Sequence, residues 1–275
     1  MLALGGCAAL DARLRLAIYR PTPAQTPAPT ALEPVAQTVY VAGPEPGSVL
    51  SMWWWPQACA NAPTLLYLHG TFRNLAGNAH KIAALHRAGF AVLALDYRGW
   101  GESSPAVPSE AGIVADAQTA WAELLRRQPN PRLRAVYGHS MGSGVAVALT
   151  AQLAADALGG LILESAFTGF EDVAREAGFW AGLLAQFTQE RFASQDRIGQ
   201  IRVPLLMLHG AQDDTVPWVL GRRLFDTAQE PKHWELFEAG HHSDLHAVDA
   251  ARYQKTLHAF MLQSMGVPCS GAATH

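Results

Sequence analysis

Three polar residues of the 275-residue chain have types and an order that suit nucleophilic catalysis. Ser140 lies between two glycines in "GHSMG", and Asp213 in "HGAQDDTVP" and His241 in "EAGHHSDL" follow it along the chain. A serine hydroxyl is a weak nucleophile at neutral pH, so it needs a base that removes its proton and an acid that orients the base. These residues predict covalent catalysis with Ser140 as nucleophile, Asp213 as acid and His241 as base.

Two other carboxylates are alternatives for the acid. Asp214 directly follows Asp213. Its position suits the cap of a helix expected to begin near Pro217, so we assign the acid to Asp213. Glu164, at the end of another expected strand, is a more distant alternative.

The base has an equally close alternative, because His242 directly follows His241. We assign the base to His241, which comes directly after Ala239–Gly240, the usual place of the base in such a site. The two histidines and the nearby His246 could also suggest a metal site. No carboxylate or histidine cluster elsewhere completes one, and no cysteine pair has a metal-binding spacing. We therefore expect neither a metal nor a cofactor.

The elements around Ser140 must decide its meaning, because Gly-x-Ser-x-Gly arises easily in a glycine-rich chain. The apolar run "LRAVYG" precedes the serine and the apolar segment "MGSGVAVALTAQLAAD" follows it, which predicts a strand, a sharp elbow and a helix. Asp213 and His241 also follow runs typical of buried strands. The carboxyl ends of parallel strands share one edge of a sheet, so the three residues should meet there.

The negative charge that develops on an attacked carbonyl needs two backbone N–H donors. We expect one from Met141, directly after the nucleophile, and one from Thr71, in the loop after "TLLYLHG". The alternative for "HGTFRN" is a tight turn that only shapes this loop.

Eight apolar runs predict the sheet that carries these loops. Two antiparallel strands, "QTVYVAG" and "SVLSMWWWP", come before six runs that alternate with helical segments, namely "PTLLYLHG", "FAVLALD", "LRAVYG", "GGLILES", "VPLLMLHG" and "HWELFEAG". Alternating strands and helices indicate right-handed crossovers. The predicted fold class is therefore α/β, with a mostly parallel sheet of about eight strands and helices on both faces.

The chain divides into three predicted parts: an N-terminal segment over 1–36, the α/β domain over 37–265 and a flexible tail over 266–275. Almost forty residues separate two strands within the domain, which is too long for one crossover helix. We expect a small helical cap over about 166–200. Its aromatic residues are candidates for an acyl pocket, namely Phe167, Phe170, Phe179, Trp180 and Phe187.

The N-terminal segment contains Leu4-Gly5-Gly6-Cys7, which looks like the lipidation signal of a bacterial lipoprotein. Only six residues precede Cys7, too few for a working signal unless translation starts earlier, so the alternative is an amphipathic helix ending near Tyr19. The proline-rich residues 21–34 predict a semi-rigid spacer, or an arm lying on the domain. Lipidation would place the protein in the cell envelope and leave Cys59 and Cys269 as a candidate disulfide. Without lipidation we expect a cytoplasmic protein.

The composition of the chain limits the kinds of molecule that it is expected to bind. A net charge of −3 and a pI near 6.4 give no basic surface for nucleic acid. No apolar run reaches 18 residues, so the sequence predicts no membrane-spanning helix. The expected partner is a small-molecule ester.

The order of these motifs resembles the α/β-hydrolase superfamily, and within it the Bem46-like or ABHD13-like serine hydrolases with a serine aminopeptidase S33-type domain. The resemblance covers roughly residues 37–262 and rests on "YLHGTFRNLAGN", "ALDYRGWGESS", "VYGHSMGSGVAV", "LILESAFTGFEDV" and "EAGHHSDL". It implies a cofactor-independent hydrolase of carboxylic esters, of esterase, thioesterase or lysophospholipase type. Two departures are "HGTFRN", where these relatives often have "HGNAGN", and two adjacent histidines where one is usual.

Two other functions stay open. The same catalytic residues cleave amides when a pocket captures the substrate's amine, and Glu171, Asp172 and Glu176 could supply such a pocket, although such carboxylates more often form a solvated helix face. A catalytically silent binding module on a hydrolase fold is the alternative of another class, and intact serine, acid and histidine argue against it.

Overall fold

One eight-stranded sheet carries the molecule, and its strands lie in the order β1-β2-β4-β3-β5-β6-β7-β8. The computed structural model describes residues 2–23, 36–59, 61–176 and 190–266, with side chains from residue 9 onward. The strands are β1 (Gln37–Ala42), β2 (Val49–Trp55), β3 (Thr64–Leu68), β4 (Ala91–Leu95), β5 (Arg134–His139), β6 (Gly160–Glu164), β7 (Leu205–Gly210) and β8 (Lys232–Phe237). Strand β2 pairs antiparallel with β1 and β4, and the other pairs are parallel. The predicted fold class is confirmed.

Helices cover both faces of this sheet. They are α1 (Leu2–Tyr19), α2 (Ala79–Arg87), α3 (Glu110–Arg127), α4 (Met141–Thr150), α5 (Phe170–Glu176), α6 (Ser194–Ile198), α7 (Trp218–Thr227), α8 (Leu245–Val248) and α9 (Ala250–Met265). Side chains of α3, α4 and α7 pack on one face, and those of α2 and α9 on the other. In the described part of the chain, none of the helices is long and apolar enough to cross a membrane.

Alternation along the strands builds the two cores. Leu66 and Leu68 of β3 belong to the core beneath α3 and α4, whereas Leu65 and Tyr67 face α2 and α9. Successive strand side chains point to opposite faces, so a strand covered on both sides must be apolar at every position. This explains why the runs that predict these strands are continuous.

The end of α1 is part of the first of these cores. Tyr19 is fully buried, and its ring lies 6.4 Å from the rings of both Trp100 and Phe192. The following residues run beside the loop after β4, where the Gly101 N–H donates to the Thr22 carbonyl at 2.9 Å. The described beginning of the proline-rich segment therefore lies on the domain, as the arm alternative expects. Residues 24–35 lie outside the described part, and so does the Cys7 side chain, so lipidation stays a prediction.

The predicted cap is described at its two ends, by α5 and α6. Phe167 and Phe170 pack in the core, 5.3 Å apart between ring centroids, and Phe170 also contacts the Tyr19 ring. Neither is among the described residues that line the cavity at Ser140. The other three candidate aromatics, Phe179, Trp180 and Phe187, lie outside the described residues.

Cys59 is disulfide-bonded. The partner that the sequence suggests, Cys269, lies outside the described residues. The pairing of Cys59 with Cys269 therefore stays a prediction.

The burial of Tyr19 predicts that the N-terminal helix contributes to the stability of the domain. Tyr19→Ala removes the ring between Trp100 and Phe192 and the hydroxyl that donates to Glu190. We expect a loss of about 3–5 kcal/mol in the free energy of unfolding, as for other large aromatic side chains removed from a core. Urea denaturation followed by circular dichroism measures it.

Leu10→Ala is the matched control, because Leu10 lies in the same helix and is 60% exposed. Its expected effect is within about 0.5 kcal/mol. Equal unfolding midpoints for the two variants would show that α1 is not part of the folded unit.

Candidate active site

Ser140 lies on a sharp turn between β5 and α4. Its backbone has φ 55° and ψ −124°, a conformation that side-chain-bearing residues rarely adopt. Glycine is required on either side, because a Cβ at Gly138 would lie 2.2 Å from the Gly142 carbonyl oxygen and one at Gly142 would lie 2.0 Å from the Leu68 carbonyl oxygen. The Ser140 N–H donates to the Glu164 carbonyl at 2.9 Å. The turn is thus held between β3 and β6.

A hydrogen-bonded chain joins Ser140 to Asp213 through His242. The Nε2 atom of His242 lies 2.9 Å from Ser140 Oγ, and its Nδ1 lies 2.9 and 3.0 Å from the two oxygens of Asp213. A carboxylate only accepts, so Nδ1 carries the proton and Nε2 is free to receive the serine proton. This arrangement has the geometry of a nucleophile, a base and an orienting acid.

The structure does not support the assignment of the base to His241, because His242 is the histidine that contacts Ser140. The His241 side chain is exposed, its Nδ1 lies 3.1 Å from the Gln212 carbonyl oxygen, and its N–H donates to Asp244. The cause is the close approach of the turn after β8 to β7, where a Cβ at Gly210 would lie 2.3 Å from the Gly240 carbonyl oxygen. That contact involves the backbones of Gly240 and His241. The residue after them, His242, is therefore the one that faces Ser140.

Asp213 contacts His242, although the capping argument that favoured Asp213 over Asp214 does not hold. Helix α7 follows Pro217 without a side-chain cap, so Asp214 does not cap it. Asp213 Oδ1 instead accepts the N–H groups of Thr215 at 3.0 Å and Val216 at 2.8 Å, which closes the loop after β7. Burial alone would raise the pKa of Asp213, but hydrogen bonds from His209, His242 and the Val216 backbone outweigh it and hold the pKa far below its usual range.

His209 is a second histidine beside the acid, and the sequence patterns did not indicate it. It is fully buried, with Nε2 2.9 Å from the Val216 carbonyl oxygen and 3.4 Å from Asp213 Oδ2. Gly221 makes room for it, since a Cβ there would lie 2.5 Å from His209 Nδ1. Its place in "LMLHG", just before the acid, is the only sequence signal that could have indicated this contact.

The loop after β3 borders the nucleophile, and side chains from other parts of the chain hold it by hydrogen bonds. A Cβ at Gly70 would lie 3.1 Å from the Ser140 Cβ, so the loop passes directly over the serine. The Thr71 carbonyl accepts from Trp100 Nε1 at 2.6 Å, and the Phe72 carbonyl accepts from the Thr22 hydroxyl at 2.8 Å. Thr71 thus borders the cavity at Ser140. Met141, directly after Ser140 in the chain, is the first residue of α4. Their role as N–H donors stays a prediction.

A cavity of about 370 Å³ opens onto Ser140. Its walls come from the segments that follow β3, β5, β7 and β8, and the lining includes Phe72, Arg73, Asn78, His139, Asp214, His241 and Asp244. Arg73 is exposed, and its guanidinium forms no ion pair with any residue of the described ranges. Asp214 and Asp244 also line the cavity. The cavity therefore offers both a cation and carboxylates to a bound molecule.

Metal chemistry has no evident site in the part of the chain that the structure describes. There, no group of three or more histidine, cysteine, aspartate or glutamate side chains could hold a metal ion. Glu164, the more distant alternative for the acid, lies buried behind the Ser140 turn and pairs with Lys81, so it does not contact His242 Nδ1.

Comparisons with known proteins agree with the architecture. The family model of serine aminopeptidase S33 matches residues 60–195. An uncharacterized protein of Mycobacterium tuberculosis is 31% identical over 91% of this chain and 88% of its own length. Lysophosphatidylserine lipase ABHD12 of Danio rerio is 34% identical over 66% of this chain, which spans about half (51%) of that lipase.

A solved structure has the same fold. The Pyrococcus furiosus esterase Pf2001 superposes with a TM-score of 0.71 at 18% identity, covering 90% of this chain and 97% of the esterase. The narrower resemblance to Bem46-like proteins is not tested by these relatives and stays a prediction. The chain belongs to the α/β-hydrolase superfamily.

Proposed function

We propose that the protein hydrolyses carboxylic esters through a covalent acyl-enzyme on Ser140. The observation that carries the proposal is the continuous chain from Ser140 Oγ through His242 to Asp213, with each link at about 3 Å. His242 takes the serine proton as the oxygen attacks the ester carbonyl, and Asp213 stabilises the imidazolium that forms. His242 then gives the proton to the departing alcohol. Water, activated by the same histidine, releases the acid.

The backbone N–H groups of Thr71 and Met141 would hold the oxyanion of the tetrahedral intermediate. Both residues border Ser140, one from the loop after β3 and one from the start of α4. Such donors stabilise charge that exists only in the transition state. The Trp100 and Thr22 hydrogen bonds to this loop support the role, because they fix two of its carbonyls.

Ester hydrolysis is favoured over amide hydrolysis because the cap carboxylates are poorly placed to bind a substrate amine. The amidase alternative relied on Glu171, Asp172 and Glu176 to hold a substrate amine. Glu171 and Asp172 are paired with Arg175, at 2.7 and 2.9 Å. None of the three carboxylates lines the cavity that opens onto Ser140, so an amine held by them would lie outside it.

Arg73 suggests an anionic group on the substrate. It lines the cavity beside Ser140 without an ion pair in the described residues, and an unpaired guanidinium suits a phosphate or carboxylate. The similarity to a lysophosphatidylserine lipase supports the same class. We propose lysophospholipids with anionic head groups as substrates, with the head group at Arg73.

The first test is labelling by a fluorophosphonate probe, compared between the native protein and Ser140→Ala. We expect labelling of the native chain only, and a fall in p-nitrophenyl butyrate hydrolysis of about 10⁴-fold or more in the variant, since removal of the nucleophile abolishes the covalent route. Folded native protein that stays unlabelled would favour the silent binding module.

The adjacent histidines provide a matched pair of variants. His242→Ala should lower kcat/KM for the same ester by about 10⁴-fold or more, because the serine loses its base. His241→Ala should retain kcat/KM within about threefold, as for an exposed side chain outside the hydrogen-bonded chain. Steady-state kinetics measures both, and a larger loss in His241→Ala would restore the assignment made from the sequence.

The head-group proposal is tested by Arg73→Met. We expect KM for lysophosphatidylserine to rise about tenfold, the loss of one charge-assisted contact, with KM for p-nitrophenyl butyrate unchanged. Arg87→Met, at an exposed arginine outside the cavity, is the control. An equal change with both substrates would exclude a head-group role for Arg73.

A further inference from the structure

A lysine and a glutamate are buried together behind the Ser140 turn. Lys81 of α2 is 3% exposed and Glu164 at the end of β6 is 0% exposed, and they form an ion pair. Removing two charges from water costs several kcal/mol each, so a buried pair often stabilises a fold no more than apolar side chains of the same volume would. Stability alone therefore gives little reason for this pair.

The Glu164 carboxylate has partners at both oxygens. One oxygen accepts from Lys81, and the other accepts from the hydroxyls of Tyr137 and of Tyr253, the latter at 3.1 Å. Burial alone would raise the pKa of Glu164, but the Lys81 charge, His139 and the hydrogen bonds from Lys81 and Tyr137 together outweigh it and lower the pKa to about 2. Glu164 is thus an anion at any pH near neutrality.

His139 connects this pair to the active site. Its Nε2 atom lies 3.9 Å from Glu164 Oε1 and 2.9 Å from the carbonyl oxygen of His242. A carbonyl only accepts, so Nε2 carries a proton. The other nitrogen, Nδ1, is buried and has no hydrogen-bond partner among the described residues. Burial and the Lys81 charge hold the pKa of His139 well below its usual value, against the opposing effect of Glu164.

Both the nucleophile and the base thereby depend on the end of β6. The His242 carbonyl accepts from His139 and from the Ser165 hydroxyl at 3.0 Å, and the Ser140 N–H donates to the Glu164 carbonyl. Residues 164 and 165 therefore contact the backbone of the nucleophile and, directly or through His139, the backbone of the base.

We propose that Lys81 is a positioning residue of the active site, which keeps His139 as a neutral Nε2–H donor to the His242 backbone, and that Glu164 holds the Lys81 side chain in place through their ion pair. The inference rests on the proposed function. Lys81 opposes proton uptake by His139, whereas Glu164 favours it. Without the lysine charge, His139 Nδ1 takes a proton at a higher pH. Its ring lies 5.2 Å from that of His242, so a cation there opposes the imidazolium that His242 forms during catalysis.

The charged and titratable groups around His139 come from three elements. Lys81 lies in α2, Glu164 at the end of β6, and His242 in the loop before α8. The same Lys81–Glu164 pair also acts on His246, whose pKa burial and Lys81 lower to about 4. Of these two histidines, His139 is the one that contacts His242, through the carbonyl oxygen at 2.9 Å and the ring at 5.2 Å, so its protonation is the one expected to act on the base.

Lys81→Gln is the variant that tests the proposal, since it removes the charge and keeps a donor for Glu164. We expect kcat for p-nitrophenyl butyrate to fall about tenfold or more at pH 6 and to recover to within about threefold of the native value at pH 9, with KM unchanged. The acid side of the kcat profile moves to higher pH because His139 is protonated below its raised pKa.

His139→Gln supplies the control, because glutamine keeps an N–H donor and cannot take up a proton. In that background, Lys81→Gln should no longer move the pH profile. A loss that is the same at every pH, or that persists in the double variant, would overturn the proposal in favour of a purely structural pair.

Nitrogen NMR of the native protein gives a readout that needs no activity and no folded Lys81 variant. With ¹⁵N-labelled histidine, and His139→Gln to assign the signals, His139 should show the Nε2–H form with no titration between pH 5 and 8. A titration in that range, or an Nδ1–H form, would contradict the proposal. Failure of fluorophosphonate labelling would instead refute ester hydrolysis and leave this result standing.

Discussion

The active site depends on a backbone conformation that Ser140 holds at a cost. A residue with φ 55° and ψ −124° persists only where its surroundings fix it, and here three backbones meet at van der Waals distance. Strand β3 presses against Gly142, the start of α4 presses against Gly138, and the Glu164 carbonyl holds the Ser140 N–H. The parallel sheet supplies these contacts because β3, β5 and β6 are neighbours. The serine oxygen is therefore placed by the sheet and not by its own loop.

Sequence patterns predicted the sheet well because burial on both faces leaves a signal in every strand residue. The same patterns could not decide which of two adjacent histidines faces the nucleophile. Whether His241 or His242 faces Ser140 depends on how Gly240 packs on Gly210, a contact between two loops far apart in the chain. Asp213 was predicted from its place after a strand, but the capping argument that separated it from Asp214 does not hold, and the two differ instead in the loop that Asp213 closes through Val216.

Groups that act from behind the site were hardest to predict. Lys81 lies in an amphipathic segment, where a lysine usually marks the solvated face, and nothing near it in sequence indicates a buried glutamate partner. Glu164 was considered only as an alternative acid, because the sequence shows that it ends a strand but not which way its side chain points. His209 gave no signal except its place before the acid. Each of these residues is defined by a contact with a distant part of the chain.

The N-terminal arm links two regions that the sequence treats as separate. Tyr19 lies among the aromatic residues that support the cap, and the Thr22 hydroxyl holds the Phe72 carbonyl in the loop above Ser140. Any tension applied to the chain before residue 23, from a surface tether or a fused partner, would be transmitted through one hydroxyl to that loop. The Gly101 N–H holds the Thr22 carbonyl as well, so the loops after β3 and β4 would both feel that tension.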